Sequence, residues 1–91
     1  MSDRFADLRG EIDRVDRRIL ATVNERLRLV EELWRLKGEL GIDRLDPDRE
    51  REIRDALRAA NPGPLTDEGV GELIAELLAL TKREQRRRGG S

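Results

Sequence analysis

The sequence predicts an all-α chain of three helices, one long and two shorter, that forms an intertwined homodimer. Three observations carry this. Apolar residues recur at three- and four-residue spacings along the first half of the chain, with no proline before Pro47. Two later apolar stretches each follow a capping residue, and they are separated by the breaker Asn61-Pro62-Gly63-Pro64. In 91 residues, 36% are hydrophobic, 2% aromatic and 43% charged, so one chain cannot build a large interior and a second chain is expected to help cover it.

Helix 1 is expected over about residues 3–40. Phe5, Leu8, Ile12, Val15, Ile19, Val23, Val30 and Leu33 form one stripe, and Gly41 is placed to supply the left-handed residue that ends the helix. Gly10 and Gly38 weaken it locally, by about 1 kcal/mol each relative to alanine. Helix 2 is expected over about 47–60, with Asp46 as N-cap, Pro47 in the first position and Asp48 and Glu50 near the positive end of the dipole. Its inward set is Ile53, Ala56, Leu57 and Ala60. Helix 3 is expected over about 66–86, with Thr66 as cap, a Leu65–Val70 staple, and an apolar face of Val70, Leu73, Ile74, Leu77 and Leu78. A basic tail at 86–91 suits the negative end of that helix.

At 1.5 Å per residue helix 1 is roughly 55 Å long, against roughly 20 and 30 Å for helices 2 and 3. Its stripe outruns what the same chain can cover. An intertwined or coiled-coil dimer buries that seam most economically, and the 91 residues read as one domain.

Composition narrows the chemistry. With no histidine and no cysteine, the usual general base, the commonest metal ligand and thiol chemistry are all missing from the sequence. No cofactor or metal is expected. A net charge of -1 argues against a broad nucleic-acid surface, and the cluster Lys82, Arg83, Arg86, Arg87, Arg88 has no interleaved aromatic residue for base stacking. No apolar run is long enough for a bilayer and the N-terminal residues lack a signal-peptide order, so a cytoplasmic protein without a membrane partner is expected.

Some polar residues sit where apolar ones belong. Wound at roughly 100° per residue, Arg26 and Lys37 fall in the middle of the helix 1 stripe, in the sector of Leu8 and Ile19, and lie about 16 Å apart. Arg9 lies at the stripe's edge. On helix 2, Arg49 is expected on the core side with Ala56 and Ala60, while Glu50 borders that face beside Leu57. On helix 3, Thr81 is mid-stripe, with Gln85 one turn further on. One such residue is ordinarily a stem lying along the surface or a satisfied core polar group. Here every helix contributes, and the set is dominated by cations.

Several buried cations with few acids cost several kcal/mol per unpaired charge unless an anion neutralises them. The arginine fork suits carboxylates, and without a glycine-rich phosphate cradle a small dicarboxylate is favoured over a nucleotide. The reaction is then one of positioning and electrostatic stabilisation, not of a nucleophile.

At these residues the chain resembles the all-helical class of chorismate mutases. The likeness runs from LRGEIDRVDRRILATVNERLRLVEEL through LKGELGIDRLDPDRERE to LTDEGVGELIAELLALTKREQ. The family places an arginine early on helix 1, an arginine and a lysine eleven residues apart later on it, Asp-x-x-Arg-Glu at the start of helix 2, and a small hydroxyl residue four before Gln or Glu on helix 3. Arg9, Arg26, Lys37, Asp46, Arg49, Glu50, Thr81 and Gln85 fill these places.

The resemblance implies a domain-swapped homodimer that converts chorismate to prephenate, each site taking Arg9 from the other subunit. Arg9, Arg26 and Arg49 would grip the two carboxylates with help from Thr81, Lys37 and Gln85 would donate to the ether oxygen, and Glu50 with the Asp46 region would hold the ring hydroxyl. Lys37, Gln85, Arg26 and Glu50 would carry the catalysis. Two departures stand out: Trp34 replaces a small residue, and Lys82 stands where an aliphatic residue often lines the pocket. Two other functions share the pattern, an isochorismate pyruvate-lyase and a chorismate- or prephenate-binding regulatory domain that partners a DAHP synthase. With no synthase following Ser91, a free-standing enzyme or an excised piece is expected.

Gln85 is neutral at ordinary pH. Activity of the parent should therefore be flat across neutral pH. Gln85→Glu should work only in acid, where the carboxyl keeps its proton and can still donate; a pH–rate profile of that variant matching the parent's would refute the donor role.

Overall fold

The structure is a computed structural model in which residues 3–89 are described. It is all-helical, with no strand among the described residues: α1 Arg4–Leu40, α2 Pro47–Ala60 and α3 Asp67–Gly89. The chain separates into two compact units, Met1–Leu36 and Lys37–Ser91, with the boundary inside α1.

In the first unit, Asp3 caps α1. Its Oδ1 accepts from the Ala6 N–H at 3.1 Å, satisfying an amide that no preceding turn can serve, and its carbonyl accepts the first helical bond from the Asp7 N–H at 3.0 Å. The helix therefore begins one residue after the expected start. The apolar stripe that the sequence draws along α1 is bare. Phe5 is 67% exposed, Ile12 58% and Ile19 56%, and Leu27 is the one core hydrophobic residue of α1. The stripe follows the sequence pattern along the first unit, and it is exposed.

The second unit opens with the end of α1. Gly41 stands at φ +68°, with its N–H donating to the Gly38 carbonyl at 3.3 Å, while the Ile42 N–H reaches the Lys37 carbonyl at 2.8 Å. These are the paired bonds of a Schellman stop, which requires the left-handed backbone glycine supplies freely. Asp46 Oδ1 accepts from the Arg49 N–H at 3.1 Å, and Pro47 takes the first helical position, where a missing N–H costs nothing. Asn61 ties the following turn together: its Nδ2 donates to the Leu65 carbonyl at 2.6 Å, and its Oδ1 accepts from the Gly63 N–H at 3.1 Å. Thr66 Oγ1 then accepts from the Gly69 N–H at 3.0 Å as the cap of α3.

α3 carries the core of this unit, with Val70, Ile74 and Thr81 buried. It starts at Asp67, since Thr66 is the cap and lies outside the helix, and it continues to Gly89, three residues past the expected end. Arg86, Arg87 and Arg88 in the last turn face the negative end of the helix dipole, which favours that extension. Of the basic tail expected at 86–91, Gly90 and Ser91 lie outside the described residues.

α2 is turned differently from expectation. Its least exposed residues are Glu50, Ile53 and Arg54, whereas Arg49, Ala56 and Ala60 are exposed. The half-buried side of α2 is thus centred roughly 60° round the helix axis from the face its apolar residues mark out. The reason is visible in its contacts with α3. Lys82 Nζ lies 3.2 Å from Glu50 Oε1 near one end of α2, and the Arg58 guanidinium lies so close over Gly71 near the other that a Cβ there would come within 2.8 Å of Nη2. Long polar side chains bridge to α3, and the short alanine face is left open. At the Arg58 end, Leu57, Ala60, Asn61, Leu65, Val70, Leu73 and Ile74 line an open hollow of about 230 Å³.

Candidate active site

Two of the eight residues singled out by the sequence belong to the first unit. Arg26 is half-buried on α1, and loss of hydration lowers its guanidinium's proton affinity from the ordinary value, so the surroundings disfavour the charge they hold. Arg9 is exposed and stacks over the Phe5 ring at 4.4 Å from the centroid. That contact keeps the cation beside the apolar stripe instead of extended into water.

The other six lie in the second unit. Lys37 is half-buried in the last turn of α1. Asp46 is exposed and uses one carboxylate oxygen as the cap of α2. Arg49 does not face the core. Its side chain is exposed and its Nη1 lies 3.3 Å from Glu52 Oε2, one turn along the same helix. The arginine follows the rotation of α2 described above, which turns its face away from α3.

Glu50, Thr81 and Gln85 are drawn in from solvent. Thr81 is 5% exposed, and its hydroxyl donates to the Leu77 carbonyl at 2.7 Å, the local bond a mid-helix threonine makes. Gln85, one turn further along α3, is half-buried, and its Nε2 is shielded from solvent with no protein acceptor. A buried amide donor without an acceptor costs about 1–3 kcal/mol. Glu50 approaches from α2 and forms its ion pair with Lys82, which immediately follows Thr81.

The sequence marked Lys82 only as a departure at the edge of the pocket, and its partner is what the sequence did not give. The Lys82 side chain is 46% exposed and that of Glu50 31%. On helical spacing Lys82 borders the apolar face of α3, one turn before Gln85, and nothing in the sequence gives its cross-helix partner. No group of acidic residues arranged to hold a metal ion occurs among the described residues.

A family model described as "Chorismate mutase type II" matches residues 8–86 of this chain. The chain belongs to that family. It is 35% identical over 78 residues to a chorismate mutase of Methanocaldococcus jannaschii, a match covering 86% of this chain and 79% of the relative. Among solved structures it is similar to two crystal forms of chorismate mutase from Thermus thermophilus. Form I superposes with a TM-score of 0.84 at 46% identity, covering 87% of this chain and 99% of the other. Form II gives 0.87 at 44% identity, covering 93% and 97%. The family is one of isomerases, and these relatives do not favour the lyase or the regulatory reading. No helix among the described residues is long and apolar enough to cross a membrane.

The strained position of Gln85 has a measurable consequence. Gln85→Leu replaces an unsatisfied buried amide with an apolar side chain of similar length, and should raise unfolding stability by about 1 kcal/mol in chemical denaturation at fixed protein concentration. A variant less stable than the parent would show that the amide is satisfied in solution.

Proposed function

We propose that this chain is a chorismate mutase domain that works as a domain-swapped homodimer and rearranges chorismate to prephenate by positioning and electrostatic stabilisation alone. The observation that carries the reading is the Gln85 amide, a donor sheltered from solvent with no protein acceptor, in a chain of this family. A donor held in that state is ready for an oxygen that becomes negative only as the reaction proceeds, and it needs little reorganisation when that happens.

In this scheme Lys37 and Gln85 donate to the ether oxygen as its carbon–oxygen bond breaks. Arg26, Arg49 and the partner subunit's Arg9 hold the two carboxylates, and holding both selects the compact conformer in which the reacting ends meet. Thr81 assists by turning its hydroxyl from the Leu77 carbonyl toward a carboxylate. Glu50, with Asp46 nearby on the same helix start, accepts from the ring hydroxyl. The half-buried Arg26 fits this role, because water competes less for a carboxylate held at a partly desolvated guanidinium. No covalent intermediate is needed, which suits a chain with neither histidine nor cysteine.

The dimer is supported by the bare stripe of α1. Leu8, Ile12, Val15 and Ile19 are each more than 40% exposed, on one face of one helix. An apolar band of that length is a surface for a second chain. The second copy is the economical cover, because the same stripe on both helices gives a self-complementary seam. The open Arg49, Ala56, Ala60 face of α2 is a further surface that a second chain would close. Cytoplasmic location follows as part of the same reading.

Two measurements test it. Purified protein should consume chorismate and form prephenate, and Lys37→Ala should lower kcat by about 100- to 1,000-fold, the usual loss for one oxyanion donor; a parent without turnover, or an alanine variant equal to it, ends the proposal. Ile19→Glu puts a charge into the shared seam. Light scattering should then find a monomer and kcat/KM should fall about 100-fold or more, since each site lacks its second chain; a fully active monomer would rule out the shared site.

A further inference from the structure

Ion pairs among the described residues differ in kind. Arg4–Glu11, Arg49–Glu52, Arg51–Asp48 and Arg87–Glu84 each lie within one helix. Lys82–Glu50 joins two helices, at 3.2 Å from Nζ to Oε1. It does so where the candidate site is built, because Lys82 is adjacent to buried Thr81 and three residues before Gln85, whose amide is sheltered.

The start of α2 is held by the Asp46 cap and by the half-buried Ile53, one turn past Glu50. α2 contains no buried residue, and its apolar hollow with α3 lies toward the other end, around Leu57, Ala60 and Leu65. At Glu50 itself the tie to α3 is a long lysine stem with a charge at its tip. A carboxylate on the first turns of a loosely packed helix has free χ angles, and one fixed cation on Oε1 restricts it, leaving Oε2 to accept from a ligand.

We propose that Lys82 is a positioning residue for the mutase reaction: from α3 it sets the orientation of the Glu50 carboxylate, so that the remaining oxygen meets the hydroxyl of the substrate ring. Lys82 does not touch the substrate. It acts through Glu50. The inference rests on the reading of Glu50 given above, and it adds a residue from another helix on which that role depends. Where a typical exposed ion pair contributes almost nothing to stability, this one is worth more in catalysis than in folding, because a misplaced contact at a binding site is costly even when the fold does not notice.

The test is a double-mutant cycle on chorismate turnover, with melting temperature measured for every variant. Lys82→Met keeps the stem and removes the charge. Its KM should rise about tenfold with kcat little changed, since the ring-hydroxyl contact serves ground state and transition state alike. Lys82→Arg should recover most of the loss. Glu50→Gln alone should be impaired, and adding Lys82→Met to it should change nothing further, because the carboxylate through which the lysine acts is gone. A purely structural lysine would instead lower the melting temperature, and kcat through the active fraction, at constant KM.

A parent-like KM for Lys82→Met overturns the proposal while leaving the mutase assignment intact, and so does a loss from Lys82→Met that is equally large with and without Glu50→Gln. A parent that turns over no chorismate overturns both. An impaired Lys82→Met that Lys82→Arg does not recover also overturns it, since the role requires a cation at that reach.

Discussion

The structure depends on one constraint: a 37-residue helix with an exposed apolar stripe. A helix this long cannot be stabilised by propensity alone and draws its stability from what its apolar face packs against. The rest of the chain is small. α2 has no buried residue, and α3 buries only three side chains below a tenth of their surface. The exposed residues Phe5, Leu8, Ile12, Val15 and Ile19 are therefore a reservoir of hydrophobic energy on one helix face, and assembly is what would draw on it.

The same constraint shapes the chemistry. An apolar stripe is a place of low dielectric once covered, and cations placed there interact strongly with anything negative. Arg26 already shows the effect, with its protonated form disfavoured by partial burial. A chain with no histidine and no cysteine has few ways to catalyse a reaction other than by such fixed charges and donors, and Gln85 adds a neutral one. An isomerisation, which needs no proton or electron from outside, matches that limited set of groups. Membership of the chorismate mutase family and the physical inventory of the chain thus point the same way.

In the second unit the candidate site residues also have structural roles. Asp46 caps α2, and the same turn presents Arg49 and Glu50. Thr81 is bonded to its own helix at Leu77, and its neighbour Lys82 reaches across to Glu50. Capping and cross-helix pairing fix the helix starts and edges from which the candidate site residues project.

Much of this was legible in the sequence, because it depends on neighbours along the chain. Helix limits followed from Asp46, Pro47, Gly41 and Thr66, whose roles are set by backbone chemistry within a turn or two, and every expected boundary lies within three residues of the observed one. The out-of-place residues Arg26, Lys37, Thr81 and Gln85 were legible for the same reason, since helical pitch alone assigns them to a stripe, and all four are at least partly buried. The rotation of α2 was decided only by tertiary structure. Apolar periodicity counts Ala56 and Ala60 as inward, but the longer side chains of Glu50 and Arg58 make the cross-helix contacts with α3, and Arg49 is left exposed with the alanines. The pairing of Lys82 with Glu50 was likewise decided there, because residues 32 positions apart in the sequence meet only once two helices have packed, and no local rule encodes that meeting.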